Sequence, residues 1–221
     1  PHGKVEPPSK KGAGNSRLDE IVLKATAVDR GDRYQEISEL VRDLQQVAVE
    51  SDIATVVENP GTEKTEPSSD SYIPPPEEVQ PWLNDPERKL NQYILSANIG
   101  SGGMGSVWKA WDTKLARWVA VKILTPGDDT GVRRFEREAQ LAAQLRHPNI
   151  AGIYEVNRSN EIHFLVMDYI DGGCIYEHPY SIQDLIRIYV KVCRAVQFAH
   201  KHKIIHRDIK PANILVGSDG E

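Results

Sequence analysis

Three clusters carry residue types suited to chemistry. In Gly100-Ser101-Gly102-Gly103-Met104-Gly105-Ser106-Val107, glycine occupies the first, third and sixth positions. Glycines suit a loop whose backbone amides must come close to phosphate oxygens in torsions that a side chain forbids. By itself the pattern also fits a plain flexible hairpin. Val119-Ala120-Val121-Lys122 follows in an apolar, strand-like run, where a single lysine needs an anionic partner. Glu138 lies one turn from both Phe135 and Ala142 on an amphipathic stretch, so it shares their inward face and can meet Lys122. Glu136 is the competing partner, and plain exposed charges are the alternative to either pair. The third cluster, His206-Arg207-Asp208-Ile209-Lys210-Pro211-Ala212-Asn213, has the spacing H-R-D-x-x-x-x-N and is the most specific pattern in the chain.

The glycines sit between two strand-like runs, whereas a dinucleotide fingerprint leads from a strand into a helix. With V-A-V-K and the H-R-D run downstream, residues 90 to 221 resemble bacterial eukaryote-like serine/threonine protein kinases. The resemblance implies an α+β, bilobal kinase-like fold that is incomplete: an antiparallel small lobe with one helix at 90–170, and the start of a helical large lobe at 171–221. It implies ATP and Mg²⁺ as cofactors and the phosphorylation of Ser or Thr hydroxyls on protein substrates. Asp208 would accept or orient the hydroxyl proton, Asn213 would bind Mg²⁺, and Lys210 would contact the γ-phosphate. The Lys122–Glu138 pair would orient the lysine amine onto the α- and β-phosphates. Ile99, Gly100, Ser101, Gly102, Gly103, Met104 and Gly105 would lie along the nucleotide. Val107, Ala120 and Leu215 would sandwich adenine, Met167 would be the gatekeeper, and backbone groups of Asp168 and Ile170 would bond the adenine edge. Arg207 resembles the arginine of kinases whose activation loop is controlled by phosphorylation. His206 reads as a packing residue rather than a base.

Periodicity supplies the elements that must position these groups. Tyr93 to Ile99, Ser106 to Asp112 and Trp118 to Leu124 alternate as three strands of a meander. Val132, Phe135, Ala139, Ala142 and Leu145 mark a helix that stops before Pro148, and strands follow at Ile150 to Val156 and Ile162 to Tyr169. Asp171-Gly172-Gly173 reads as a break, and Cys174 to Tyr180 is shorter than the helix common there in the family. Ser181 and Asp184 form a capping box for a long helix carrying Leu185, Ile188, Val192, Val196 and Ala199. Ile214 to Val216 reads as a final strand.

The front of the chain is organised differently. Residues 1–16 lack an apolar period and read as loop or disorder. Leu18, Ile21, Val22 and Ala25, then Ile37, Leu40, Val41, Leu44 and Val47, give two helices with one apolar stripe each. Such a pair buries little by itself and has to pack on something else. With Asp29, Arg33 and Tyr34 between the stripes, 17–49 also resembles the last two helices of a kinase domain, although Arg30 stands where the family has proline; a generic helical hairpin is the alternative. Residues 50–89 are rich in Pro, Glu and Ser and read as a linker. No D-F-G or A-P-E follows Asn213. The expectation is therefore a window across two tandem kinase domains, inactive by itself, with a second kinase domain in the same polypeptide. The rival reading is a catalytically dead nucleotide-binding or scaffolding module.

Composition narrows the class. The net charge of -5 gives no basic stripe for nucleic acid. No apolar run is long enough for a membrane helix. The two cysteines, Cys174 and Cys193, suit a reducing compartment, so a cytoplasmic location is expected.

Overall fold

Strand-length apolar runs separated by short glycine- and Asp-rich turns leave little choice but antiparallel neighbours. The computed structural model describes residues 8–11, 16–50, 73–103, 105–125 and 129–221. These fall into two compact units, one ending at Asp171 and containing the sheet, the other combining the first helices with Gly172–Glu221.

The sheet unit contains β1 (Lys89–Leu90), β2 (Tyr93–Gly102), β3 (Gly105–Asp112), β4 (Arg117–Leu124), β5 (Ile153–Ser159) and β6 (Ile162–Asp168), with helix α3 (Asp129–Ala142) between β4 and β5. The strands form one six-stranded sheet in the order β1-β2-β3-β4-β6-β5, and every pairing is antiparallel. Leu95, Ala110, Val119, Val121, Phe164 and Val166 build the core on one face, and the Phe164 ring meets Tyr93 edge-on at 6.2 Å. Fully burying a side chain such as Phe164 contributes about 3 kcal/mol.

The end of the segment expected as a linker is packed. Val79 is fully buried against Ile94 and Trp111, with Trp82, Leu83 and Trp118 around them. Lys109 pairs with Glu78 at 2.6 Å, and the Arg88 guanidinium stacks over Trp82 at 4.5 Å. Proline-rich composition hides this because the anchoring residues are few and without period. Residues 51–72 of that segment lie outside the described residues.

The helical unit contains α1 (Ser16–Ala25), α2 (Ile37–Glu50) and α4 (Ile182–Lys201), with a two-stranded pairing of β7 (Gly172–Cys174) and β8 (Leu215–Gly217). Leu18 and Ile21 of α1, Val41, Leu44 and Val47 of α2, and Ile186 and Val190 of α4 share one buried cluster. The apolar stripes of the front helices thus find their partner in α4 of the same chain. Ser181 caps α4 as expected, its Oγ accepting from the Asp184 amide at 3.1 Å. Between α1 and α2, Asp29 Oδ1 accepts from the Gly31 amide, and Arg33 donates to the carbonyls of Ala27 and Val28. Arg33 therefore closes the end of α1. Strand β7 forms where a chain break was expected, because its backbone pairs with a strand distant in sequence.

Candidate active site

The H-R-D run follows α4 directly. Helix α4 ends at His202, whose amide donates to the Phe198 and Ala199 carbonyls, and Arg207 takes φ 65° to turn the chain. Lys210 Nζ lies 2.9 Å from Asp208 Oδ2. Asn213 Nδ2 donates to the same carboxylate oxygen at 3.0 Å and to the Asp208 carbonyl at 2.7 Å. A 3-10 turn at Pro211–Asn213 sets that reach, with the Asn213 amide donating to the Lys210 carbonyl at 2.9 Å. Asp208, Lys210 and Asn213 thus stand together. The hydrogen bond from Lys210, then that from Asn213, holds the Asp208 carboxyl below the usual carboxylate range. The result is an exposed, ionised carboxylate able to accept a proton from a hydroxyl. With Nδ2 turned to Asp208, the other amide atom of Asn213 is an oxygen, the atom type a hard cation takes.

His206 departs from expectation. It is exposed, and its Nδ1 accepts from the Asp208 amide at 3.3 Å, so the ring braces the loop instead of filling a core. Cys174 Sγ lies 3.4 Å from the Ala212 carbonyl, and Leu215 of β8 is 47% exposed.

The remaining site residues belong to the sheet unit. Register pairs Val107 with Lys122, Lys122 with Leu165, and Ala120 with Met167, so Val107, Ala120, Lys122 and Met167 share the face opposite the core of Val121 and Phe164. That common face is what an adenine sandwich beside a phosphate-binding amine requires. The glycine hairpin closes with Gly102 opposite Gly105 and Gly100 opposite Val107; Ile99, ahead of it on β2, is 49% exposed. Ser101 Oγ donates to Asn98 Oδ1. Met104 lies outside the described residues. At Gly105, φ is 138° and a Cβ would fall 1.9 Å from the Ile123 carbonyl oxygen, so the protein's own backbone demands glycine. At Gly102 and Gly103 a Cβ would meet no atom within 4 Å. Nothing in the packing calls for glycine there, and bare backbone open to solvent fits a phosphate-covering loop.

The expected Lys122–Glu138 pair is not formed among the described residues. Glu138 is exposed, whereas Glu136 is half-buried and places Oε1 3.3 Å from His163 Nδ1 on β6. The competing glutamate is the one turned to the sheet, because the roll of α3 was not fixed by its apolar spacing.

Sequence reasoning also missed the support behind Asp168. Its Oδ2 accepts from the Gly152 amide at 2.6 Å, and its Oδ1 accepts from the Tyr154 hydroxyl. The Arg117 guanidinium stacks on the Tyr154 ring at 3.7 Å, and burial, then the bond to Asp168, raises the Tyr154 pKa. The Asp168 amide donates to the Gly152 carbonyl at 2.9 Å, which narrows the expected adenine contact at this residue to its carbonyl. No local signal links these residues, because they lie on separate strands and loops. Ile170 follows on the same connection, half-buried.

The profile of the family described as Protein kinase domain matches residues 93–221. The serine/threonine-protein kinase PrkC of Bacillus subtilis is 39% identical over 142 residues, covering 61% of this chain and 22% of its own length. The serine/threonine-protein kinase PknB of Mycolicibacterium smegmatis is 36% identical over 149 residues, covering 62% of this chain and 24% of its own length. The chain therefore spans less than a quarter of these curated relatives. Among solved structures, the PknI kinase domain of Mycobacterium tuberculosis superposes with a TM-score of 0.52 at 28% identity, covering 59% of this chain and 57% of that domain.

Proposed function

Because this chain belongs to the protein kinase domain family, we propose that the protein transfers the γ-phosphoryl group of ATP to Ser or Thr hydroxyls of protein substrates. The observation that carries the reading is the Asp208–Lys210–Asn213 constellation, in which an amine and an amide keep an exposed carboxylate ionised.

In this reading Asp208 accepts or orients the proton of the incoming hydroxyl, and Lys210 stands beside it to neutralise charge on the transferred group. The glycine hairpin covers the phosphates with backbone amides, and Lys122 binds them from the sheet face it shares with Val107, Ala120 and Met167. Asn213 would hold Mg²⁺, which supplies charge neutralisation to the phosphates when bound. Ile170 and the Asp168 carbonyl would set the adenine edge, and the Tyr154–Asp168 contact supports that position. ATP as the donor and two free cysteines suit the cytoplasm; among the described residues no helix is long and apolar enough to cross a membrane. The shared core of α1, α2 and α4 supports reading 16–50 as part of this large lobe in preference to the tail of a second kinase domain.

Transfer is tested on the full-length gene product with labelled ATP and a Ser/Thr-containing protein acceptor. Asp208→Asn is expected to lower the rate by about a hundredfold to ten-thousandfold while leaving ATP affinity within about threefold. An unchanged rate, or a wild-type protein that binds ATP and transfers nothing, would overturn the proposal in favour of a nucleotide-binding scaffold.

A further inference from the structure

The segment 76–88, just ahead of the sheet, is built onto the nucleotide-facing side. Lys109 is the register partner of Ala120, Trp111 of Trp118, and Ala120 of Met167, so Lys109, Trp111 and Trp118 project from the face that carries Ala120, Lys122 and Met167. Trp111 and Trp118 stand at the end of that face away from the glycine hairpin. Val79 covers this end, fully buried against Ile94 and Trp111. The Val79 amide donates to the Pro76 carbonyl and the Trp82 amide to the Val79 carbonyl, each at 2.9 Å, so successive turns coil the segment into a short strap. Arg88 pins its far end, with the guanidinium 4.5 Å from the Trp82 ring and 5.1 Å from the Trp108 ring, and donates to the Ser96 carbonyl at 3.2 Å. The strap precedes residue 93, where the match to the kinase profile begins.

Burial and stacking at Val79 and Arg88 already fasten the strap, and Glu78 adds a link of another kind. Its carboxylate lies 2.6 Å from Lys109 Nζ, and that amine stands over two rings, 4.0 Å from Trp118 and 5.3 Å from Tyr169. The two rings are themselves 6.4 Å apart. A cation over ring faces is attracted to both, and a carboxylate at hydrogen-bonding distance fixes the amine in place. The Lys109 side chain is only 19% exposed, so solvent screens these attractions less than at the open surface. Tyr169 lies between Asp168 and Ile170, the residues expected to bond the adenine edge. Asp168 is held through its carboxylate by Gly152 and Tyr154, and Lys109 gives the next residue a separate hold.

We propose that Lys109 is a positioning residue for the adenine site: backed by Glu78 of the strap, it holds the Tyr169 ring and thereby sets the backbone of Asp168 and Ile170 that meets the base. The strap is thus part of the support of the nucleotide site, and breaking its link to Lys109 weakens ATP binding without touching the groups that transfer the phosphoryl. The inference rests on reading Asp168 and Ile170 as the adenine edge.

The test measures ATP affinity, transfer rate and amide hydrogen exchange on the full-length gene product. Lys109→Met keeps an unbranched stem and removes the charge. It is expected to weaken ATP affinity about threefold to tenfold, the range set by one to two lost cation–π contacts, with the rate at saturating ATP kept within about twofold. Exchange of the Asp168 amide, which donates to the Gly152 carbonyl, is expected to quicken about threefold or more in the same variant. Glu78→Gln is expected to move both readouts the same way by less, and to add little on top of Lys109→Met. Lys109→Arg keeps a cation over the rings and is expected to hold ATP affinity within about twofold of wild type. Circular dichroism confirms folding, and Glu78→Gln, at an exposed carboxylate, decides where Lys109→Met does not fold. Where bound ATP protects the Ile170 amide in wild type, unchanged affinity in the folded variants, equal losses in Lys109→Met and Lys109→Arg, or a saturated rate that falls as far as the affinity would overturn the proposal. Bound ATP that leaves Ile170 unprotected removes the adenine-edge reading instead. Quickened Asp168 exchange then retains the hold on Tyr169 alone, and unchanged exchange removes that as well.

Discussion

Leu44→Ala tests whether the front helices and α4 form one core. Leu44 is 8% exposed and shares its cluster with Leu18 and Ile21 of α1 and with Ile186 and Val190 of α4. Removing three buried carbons at about 0.8 kcal/mol each loses about 2.4 kcal/mol of transfer free energy. A cavity term adds to this, and the higher helix propensity of alanine subtracts a few tenths, so about 2–3 kcal/mol is expected. With a urea slope of about 1.5 kcal/mol/M for a unit this small, the unfolding midpoint should fall by about 1.3–2 M. Hydrogen exchange should speed up at the amides around Ile186 and Val190, although α4 itself carries no substitution. Combining Leu44→Ala with Val190→Ala closes a cycle whose coupling should exceed about 0.5 kcal/mol. Additive costs, together with α4 exchange that ignores the Leu44 change, would refute the shared core and return 16–50 to an independent hairpin.

Gly105→Ala should cost about 1–3 kcal/mol in backbone strain alone, with further loss because its Cβ meets the Ile123 carbonyl; a thermal melt of the sheet unit checks this. Lys210→Ala removes the largest cause of the depressed Asp208 pKa, so the carboxyl should titrate closer to its ordinary value in a carbon-detected NMR titration. The sign follows from the depression: the native interaction is fully present above the unfolded carboxylate pKa and is lost as pH falls through the folded value. Tyr34 titrates at about 12 because of burial first and the hydrogen bond to Asp43 second. Its contribution is therefore present below the ordinary tyrosine value and lost as pH rises through about 12. Asp43→Asn should lower that titration, followed by phenolate absorbance, without returning it fully to the ordinary value.

Much of the site was legible from the chain because its parts are local. The H-R-D loop carries Asp208, Lys210 and Asn213 on one short turn, so the spacing that names them also brings them together. The capping box at Ser181 and the alternation in β3 and β4 are local in the same sense, and each element formed close to its expected bounds. Val107, Ala120, Lys122 and Met167 needed only antiparallel register to share a face.

Tertiary structure decided everything that links distant residues. Apolar spacing gives α3 an inward stripe but does not fix its roll closely enough to choose between Glu136 and Glu138, and packing against β5 and β6 made that choice. The stripes of α1 and α2 announce a need for a partner, yet only the fold supplies α4. Val79, the β7–β8 pairing and the Tyr154–Asp168–Gly152 contacts carry no period at all. A repeat in sequence records which side of an element is apolar; which neighbour covers that side depends on contacts between residues far apart in the chain, and these form only when the elements pack.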